Sequence, residues 1–374
     1  MNGRQAKRMD LSKIDKNFAN SYDFDGMQFF DVNSEGFALY GLCRADGEKD
    51  FKRLPKGFAE KMDNQSVRTL YKNTSGIRVR FKTDSQRIIL KCVLPAVNTL
   101  PHMPLTGTSC FDLYADGKYC NVFRPGINVN GEYADNGMGE NGYASGYSFP
   151  DRAMREILIH FPLYNDVDAV YIALEASARL CPARPYANEA PVVFYGSSIT
   201  QGGCASHPGN AYPAILSRRF DCDFVNLGFS GGCFAEEELA AYIAHMEKRM
   251  LVFDYDHNAP DADALQKTHE RFFLWVREQC PLLPIILVSA ADRSFGEQER
   301  SARRDVIYKT YSNAVQRGDR NVYFVDGATI YSAAGADFCT VDNTHPNDLG
   351  FWCMAQAIGG VMEKIFDQGG ADDV

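Results

Sequence analysis

The chain has 374 residues, carries a formal net charge of −9, and is 45% apolar and 23% charged. This composition is that of an ordinary globular protein, and an acidic balance without a dense lysine and arginine stripe argues against a nucleic-acid partner. No apolar run reaches the roughly 18 residues of a membrane span, so no membrane partner is expected either. A length well above about 150 residues predicts two domains.

Cysteine usage and the first residues indicate the compartment. The 11 cysteines include no C-x-x-C pair, so neither a zinc ribbon nor a thioredoxin-type dithiol is predicted. Polar residues follow the basic start of the chain, where a secretory signal would have an apolar core. We therefore expect a cytoplasmic protein with reduced thiols.

The N-terminal part of the chain is rich in short strand patterns. Residues 1–20 are polar and predict an arm or a short helix. Two runs within Gly76–Leu94 flank a Thr83-Asp84-Ser85 turn, which predicts an antiparallel hairpin. Further strands are predicted at Phe111–Tyr114, Tyr119–Val122, Glu156–Phe161 and Ala169–Leu174. The pattern predicts an antiparallel, jelly-roll-like β-sandwich with long loops at Pro95–Ser109 and Pro125–Ser148.

A change of pattern divides the chain. Cys181–Tyr186 contains two prolines and predicts a linker, giving a β-sandwich domain at 1–186 and a second domain at 187–374. In the second domain, strands are predicted at 191–195, 222–227, 250–254, 284–289 and 321–325, and helices at about 210–220, 235–247, 261–279, 297–317 and 347–366. This α/β alternation predicts a parallel five-stranded sheet with helices on both faces, with ligands bound at the carboxyl ends of its strands.

The stretch Phe194–Gly203 places Ser198 at a strand-to-helix turn between small residues. Such a turn exposes a hydroxyl above the sheet edge, and the helix N-terminus behind it favours negative charge. Taken alone, a Gly/Ser loop of this kind more often caps a helix than carries a nucleophile. Whether Ser198 is a nucleophile therefore depends on which catalytic side chains the rest of the chain brings near it.

Three more predicted strand-end loops supply such partners. A serine nucleophile needs a base, for which His345 is the best candidate, and Asp342 is placed to orient the ring of that histidine. The oxyanion of a tetrahedral intermediate needs donors, which the backbone N–H groups of Ser198 and Gly231 and the side-chain amide of Asn258 could provide. This convergence favours catalysis over a structural role.

Alternatives remain at this stage. His257, next to Asn258, is the main rival base. Asp254, Asp256 and His257 form a D-x-D-H run that would supply the ligands of a metal-dependent deacetylase. Among the other histidines, His102 is the one whose loop could fold over the site.

These residues resemble the conserved blocks of the SGNH (GDSL-type) hydrolases. Gly196–Gly202 is similar to block I, Asn226–Gly231 to block II, Asn258 to the asparagine of block III, and Asp342-Asn343-Thr344-His345 to the D-x-x-H of block V. The resemblance implies a flavodoxin-like domain in which Ser198 is the nucleophile, Gly231 and Asn258 join the oxyanion hole, and Asp342 and His345 complete the triad. Ser197 stands where many members have Asp, and Asp256-His257-Asn258-Ala259 departs from the common G-x-N-D.

The N-terminal half carries a second resemblance. Cys110-Phe111-Asp112-Leu113-Tyr114 is similar to the G-x-D-L-Y motif of a sandwich domain found ahead of some bacterial SGNH hydrolases, with Cys110 in place of the glycine. This arrangement implies a serine esterase that removes O-acetyl groups from imported oligosaccharides and requires no metal or cofactor. Several tyrosines near the predicted long loops could stack on sugar rings, although packing is the commoner role: Tyr114, Tyr119, Tyr133, Tyr143 and Tyr147.

Two other functions stay open. A lipid or acyl-thioester hydrolase of the same family would need a wide apolar channel. A non-catalytic sugar-binding protein would keep the fold and tend to lose one member of the Ser/Asp/His set, which is complete here. The expected partner is thus a small-molecule or oligosaccharide ester, and the oligomeric state, a homo-oligomer included, is left open.

Overall fold

The computed structural model describes residues 24–43, 48–127, 133–134, 142–291 and 294–369. The arm or helix predicted at 1–20 lies outside these residues. Within them, no helix combines the length and the apolar composition needed to cross a membrane.

The N-terminal half is mostly β-structure. Its strands β1 to β12 are Met27–Asp31, Ala38–Tyr40, Arg78–Thr83, Arg87–Val93, Phe111–Ala115, Lys118–Phe123, Gly126–Ile127, Tyr133–Ala134, Gly142–Ser148, Arg155–His160, Ala169–Glu175 and Leu180–Cys181. Its helices α1 to α3 are Lys56–Ala59, Gln65–Leu70 and Leu105–Thr108. One antiparallel sheet has the order β1-β11-β4-β9, and a second has the order β12-β3-β10-β5-β6 with β2 beside β3. Apolar side chains of both sheets, such as Phe81 and Leu90, share one core, so the predicted sandwich is confirmed.

The predicted hairpin within Gly76–Leu94 is wrong, because β3 and β4 belong to different sheets. The turn between them carries the chain across the sandwich: the Ser85 N–H donates to Thr83 Oγ1 at 3.1 Å and Ser85 Oγ donates to the Arg87 carbonyl at 2.6 Å. The arginines that alternate along β3 are buried and do not form a solvent face. Arg78 donates to the Phe224 carbonyl at 3.1 Å, in the C-terminal half.

The predicted long loop at Pro125–Ser148 is also wrong in its last part, where β9 pairs with β4. Tyr143 of β9 is fully buried, and its hydroxyl donates to the carbonyls of Ser109 and Phe123 at 3.2 and 3.1 Å. β9 has glycine, alanine or serine at five of its seven positions and no β-branched residue, so its composition does not indicate a strand. The loop predicted at Pro95–Ser109 contains one short helix, α3.

The C-terminal half has the predicted α/β architecture. Its strands β13 to β17 are Asn188–Gly196, Cys222–Gly228, Met250–Asp254, Ile285–Val288 and Val322–Val325. Its helices α4 to α11 are Ser198–Gln201, Tyr212–Phe220, Glu237–His245, Ala262–Gln279, Glu297–Gln316, Gly327–Ile330, Ala336–Cys339 and Asp348–Gly369. The sheet is parallel in the order β14-β13-β15-β16-β17, which is the flavodoxin-like order. Neighbouring side chains of β13 face opposite cores, Phe194 on one side and Tyr195 on the other.

The predicted linker packs against both halves. Tyr186 is buried, and its hydroxyl accepts a hydrogen bond from Arg78 Nε at 2.7 Å. Arg78 also pairs with Asp223 of β14. The buried guanidinium therefore joins the linker to the edge of the parallel sheet, while the domain boundary at 186/187 stays a prediction.

Candidate active site

The turn after β13 is shaped by its small residues. A Cβ on Gly196 would come within 2.1 Å of Thr200 Oγ1 and 2.2 Å of the Asp254 carbonyl, so only glycine fits there. Ser197 caps α4 by accepting a hydrogen bond from the Ile199 N–H at 3.1 Å. Ser198 thereby becomes the first residue of the helix, at the carboxyl edge of the sheet, with 9% of its surface exposed.

Three of the predicted site residues meet through their side chains. Ser198 Oγ lies 2.9 Å from His345 Nε2, and His345 Nδ1 lies 2.9 Å from Asp342 Oδ2. Asp342 Oδ1 accepts the backbone N–H groups of His345 and Thr344 at 2.7 and 3.1 Å, which fixes the carboxylate on its own loop. Partial burial raises the pKa of Asp342, but the hydrogen bonds from His345 and Thr344 outweigh it and hold that pKa below its usual value. The carboxylate is therefore ionised at neutral pH.

The loop after β14 presents backbone donors next to this chain of contacts. The Phe229 N–H donates to the Gly196 carbonyl at 2.9 Å, and the Ser230 N–H donates to Gln201 Oε1 at 3.0 Å. Gly231 follows with φ of +60°, a conformation that glycine adopts without strain. Within the described part of the chain, the N–H groups of Ser198 and Gly231 donate to no protein acceptor. Both are thus available to a ligand.

Asn258 lies in the 3-10 turn Asp256–Asn258 that follows β15. Its Nδ2 donates to the Phe229 carbonyl at 3.1 Å, which leaves the second amide hydrogen available. The asparagine thus connects the third strand-end loop to the second. The two predicted oxyanion donors, Gly231 and Asn258, therefore lie on loops that this hydrogen bond connects.

The rival residues have other partners. His257 packs on Phe295 with ring centroids 5.9 Å apart, while the ring that contacts Ser198 is that of His345. Asp254 accepts from Tyr212 at 3.2 Å, and Asp256 accepts the Ala290 N–H at 2.9 Å. No metal-ligand group of three is found among Asp254, Asp256 and His257 in the described residues.

Two residues of the N-terminal half that the sequence did not predict, Tyr164 and Arg53, reach the site. Tyr164 donates its hydroxyl to the Ser198 carbonyl at 3.1 Å. Arg53 is fully buried, donates to the carbonyls of Asn226 and Gly228, and lies 4.3 Å from the Phe229 ring centre. Burial lowers the pKa of Arg53 to about 10, and the guanidinium remains charged at neutral pH. No local motif marks these residues, because their partners lie more than 30 positions away.

His102, whose loop was predicted to be able to fold over the site, lies beside it. The ring centroids of His102 and His345 are 5.1 Å apart. The loop approaches from the N-terminal half, so both halves of the chain line the surroundings of Ser198.

The tyrosines considered as sugar platforms are mostly occupied. Tyr114 and Tyr143 are buried, and Tyr147 packs on Phe149 at 4.9 Å. Tyr119 is half-exposed and stacks on His207 at 4.5 Å. The side chain of Tyr133 lies outside the described residues.

The Cys110–Tyr114 motif binds the loop between α4 and α5. Asp112 accepts His160 Nδ1 and His207 Nδ1, each at 2.7 Å, and also the Gly209 N–H. A Cβ on Gly209 would lie 2.5 Å from the Tyr114 hydroxyl. The motif therefore docks the sandwich on the segment that follows the Ser198 helix.

A flavodoxin-like sheet whose carboxyl edge brings together serine, histidine and aspartate has the architecture of an SGNH-type hydrolase. Residues 189–363 match the model of the GDSL-like lipase/acylhydrolase family. Residues 27–180 match the GxDLY family, described as the N-terminus of SGNH-hydrolase-type esterases. The chain belongs to the GDSL-type (SGNH) hydrolases and is an ester-hydrolysing enzyme.

Solved structures share the whole architecture. A protein from Bacteroides ovatus described as a GDSL-like lipase is 27% identical with a TM-score of 0.78, covering 91% of this chain and 98% of its own. The salicylyl-acyltransferase SsfX3 of a tetracycline biosynthetic pathway is 18% identical with a TM-score of 0.73 and the same coverage. An acetyl xylan esterase from the rumen bacterium Butyrivibrio proteoclasticus is 12% identical with a TM-score of 0.53, covering 92% of this chain and 99% of its own. None of the curated proteins matches this chain.

Proposed function

We propose that this chain is a serine esterase in which Ser198 is the nucleophile, His345 the general base and Asp342 its orienting carboxylate. The observation that carries the proposal is the unbroken chain of 2.9 Å contacts from Ser198 Oγ through His345 to Asp342. The ionised carboxylate of Asp342 accepts a hydrogen bond from the Nδ1–H group of His345. This contact fixes the tautomer in which Nε2 carries no proton and can accept the one from Ser198.

The reaction follows from this geometry in two steps. Ser198 Oγ attacks the ester carbonyl while its proton moves to His345 Nε2, which then delivers that proton to the leaving alcohol. Water, activated by the same nitrogen, cleaves the acyl-enzyme and restores Ser198. In both steps the oxyanion is stabilised by the N–H groups of Ser198 and Gly231 and by Asn258 Nδ2, each donor contributing roughly 2.7–4 kcal/mol.

The proposed substrate is a short acyl ester, an O-acetyl group on an oligosaccharide. Cavities of about 220, 330 and 420 Å³ lie elsewhere, and Ser198, Gly231 and His345 line none of them. These three cavities therefore could not hold the acyl chain of an ester that Ser198 attacks. The carbohydrate part of the proposal is supported by the acetyl xylan esterase, whose alignment with this chain extends over both halves.

A series of p-nitrophenyl esters tests the acyl preference. Acetate should give the highest kcat/KM, and the value should fall from butyrate to octanoate. A preference for octanoate would contradict the short-acyl proposal and favour the lipid hydrolase. Mass spectrometry of acetylated xylo-oligosaccharides should show losses of acetyl groups, and unchanged masses with active enzyme would contradict a sugar ester of this type.

The two neighbouring serines provide a matched pair of variants. Ser198→Ala should lower kcat by about 10⁶-fold, as loss of a triad nucleophile does. Ser197→Ala removes only the helix cap, so it should lower the free energy of unfolding by about 1 kcal/mol and keep most of the activity. Full esterase activity in purified Ser198→Ala would contradict the mechanism.

A further inference from the structure

A group of soft metal-binding side chains lies beside the proposed nucleophile. His102, Cys204 and His345 each offer one ligand atom, and these three atoms lie within 4.8 Å of one another. No other group of three or more His, Cys, Asp or Glu side chains in the described residues meets this geometry. His102 comes from the N-terminal half, Cys204 from the loop after α4 and His345 from the D-x-x-H loop.

Cys204 connects two loops of this cluster, and no described residue forms a hydrogen bond with the ring of His102. Cys204 has φ of +75°, a left-handed conformation that costs a non-glycine residue about 1–3 kcal/mol. Its Sγ donates to the His102 carbonyl at 3.3 Å, which connects the two loops. The His102 ring nitrogens have no hydrogen-bond partner among the residues that the structure describes. The ring is therefore free to coordinate an ion.

The donor set selects the kind of ion. One thiolate and two imidazoles are ligands that Zn²⁺ prefers, with bonds of about 2.3 Å to sulfur and 2.0–2.1 Å to nitrogen. Bonds of that length place the ligand atoms roughly 3.3–3.6 Å apart around a tetrahedral ion, so small side-chain rotations from the present geometry close the site. The absence of a carboxylate from the set disfavours Mg²⁺ and Ca²⁺.

We propose that His102, Cys204 and His345 bind Zn²⁺ or a similarly soft divalent cation, and that this binding inhibits the enzyme. On binding, the Cys204 S–H bond breaks, the proton leaves to solvent, and the sulfur electron pair forms the bond to the ion. Water fills the fourth position. The inhibition, which rests on the proposed function, follows because both ring nitrogens of His345 are already engaged, Nε2 with Ser198 and Nδ1 with Asp342. Coordination through either nitrogen breaks one of these contacts.

Zinc binding is measured first, on tag-free protein that has been treated with a chelator and then freed of it. Competition with a chromogenic chelator should show one Zn²⁺ per chain. His102→Ala and Cys204→Ser should each weaken binding by at least about 10–100-fold, the loss typical even of residues that only support a ligand. The controls His245→Ala, on an exposed residue, and Cys120→Ser, on a half-exposed one of the sandwich, should bind as the wild type does.

Ser198→Ala separates this proposal from the proposed function. It should lose ester hydrolysis and still bind one Zn²⁺, because Ser198 is not a ligand. In the wild type, saturating Zn²⁺ should abolish hydrolysis of p-nitrophenyl acetate, and excess chelator should restore it. In Cys204→Ser, inhibition relative to the zinc-free rate of the same variant should require at least about 10-fold more Zn²⁺.

Three results would overturn the proposal. They are binding of less than one Zn²⁺ per chain, binding unchanged in both ligand variants, and full esterase activity of the wild type with Zn²⁺ bound. If no esterase activity is found at all, the binding measurements still decide whether the site exists.

Discussion

Two aspartate–histidine pairs of this chain have similar geometry and opposite surroundings. Asp342 lies 2.9 Å from His345 Nδ1, and Asp112 lies 2.7 Å from His160 Nδ1. The side chain of Asp342 is 39% exposed and that of Asp112 is 0% exposed. The second ring nitrogen differs as well. His345 Nε2 contacts Ser198, whereas His160 Nε2 is buried without a hydrogen-bond partner among the described residues.

The difference separates a pair suited to proton transfer from one suited to holding the chain together. A general base needs a proton donor on its free nitrogen and access for the substrate, and only His345 has both. Burial lowers the pKa of His160, so the ring stays neutral and its Nε2 carries no proton that would need an acceptor. Burial also raises the pKa of Asp112, but its bonds to His160 and His207 outweigh this and hold that pKa well below the usual range. An aspartate–histidine contact is therefore not by itself evidence of catalysis.

Among changes to the two pairs, removal of the exposed carboxylate has the largest expected effect. Asp342→Asn should lower kcat by about 10⁴-fold, because an amide no longer sets the tautomer or stabilises the imidazolium. The melting temperature should change little, since the carboxylate is partly exposed and its loop partners remain. Steady-state kinetics and thermal unfolding on the same sample check the loss of kcat and the unchanged melting temperature. A variant that keeps near wild-type kcat would contradict the triad.

The equivalent change at the buried carboxylate should give the opposite result. Asp112→Asn should lower the free energy of unfolding by about 3–5 kcal/mol, because it breaks a buried hydrogen-bonded cluster. The kcat of the folded variant should stay close to that of the wild type. Asp151→Asn is the control: Asp151 pairs with Arg155 at the surface and is 70% exposed, so its loss should cost at most about 1 kcal/mol. Loss of activity in Asp112→Asn without loss of stability would contradict the purely structural role given to the buried pair.

The exposed pair could be predicted from the sequence, because its members are close together in the chain. Asp342 and His345 are three residues apart, and the alternation of strands and helices predicts which loops meet at the sheet edge. The β13 to β17 bounds lie within three residues of those predicted, since buried parallel strands are continuous apolar runs.

The buried pair could not be predicted in this way. Asp112 is 48 residues from His160 and 95 residues from His207, and no local period relates such positions. The burial of the β3 arginines could not be predicted from the sequence either. The arginines of β3 have the alternation of a solvent face, but Arg78 is buried against Asp223 and Phe224 of the other half. Charged residues that face a second layer cannot be told from exposed ones by periodicity.

The smallest expected effect is a change in how stability depends on pH. The pKa of His160 is lowered by burial and by the nearby charges of Arg218 and Arg78, against the opposing effect of Asp112. In the unfolded chain this histidine takes up a proton near pH 6.5. Between that pH and the lower folded pKa, the unfolded state binds the extra proton. The free energy of unfolding therefore falls as the pH falls, by up to about 1.4 kcal/mol per pH unit for this group.

His160→Asn should remove this contribution while an amide N–H near the Nδ1 position continues to donate to Asp112. The variant should be less stable at pH 7, and its stability should fall more slowly from pH 6 to pH 4. Urea unfolding across that range measures the slope. A slope remains from the buried His269, whose pKa burial lowers to about 3. The control is His245→Asn, at an exposed position, which should keep the wild-type slope. If His160→Asn also keeps that slope, His160 takes up its proton in the folded protein as readily as in the unfolded chain, and the expectation is contradicted.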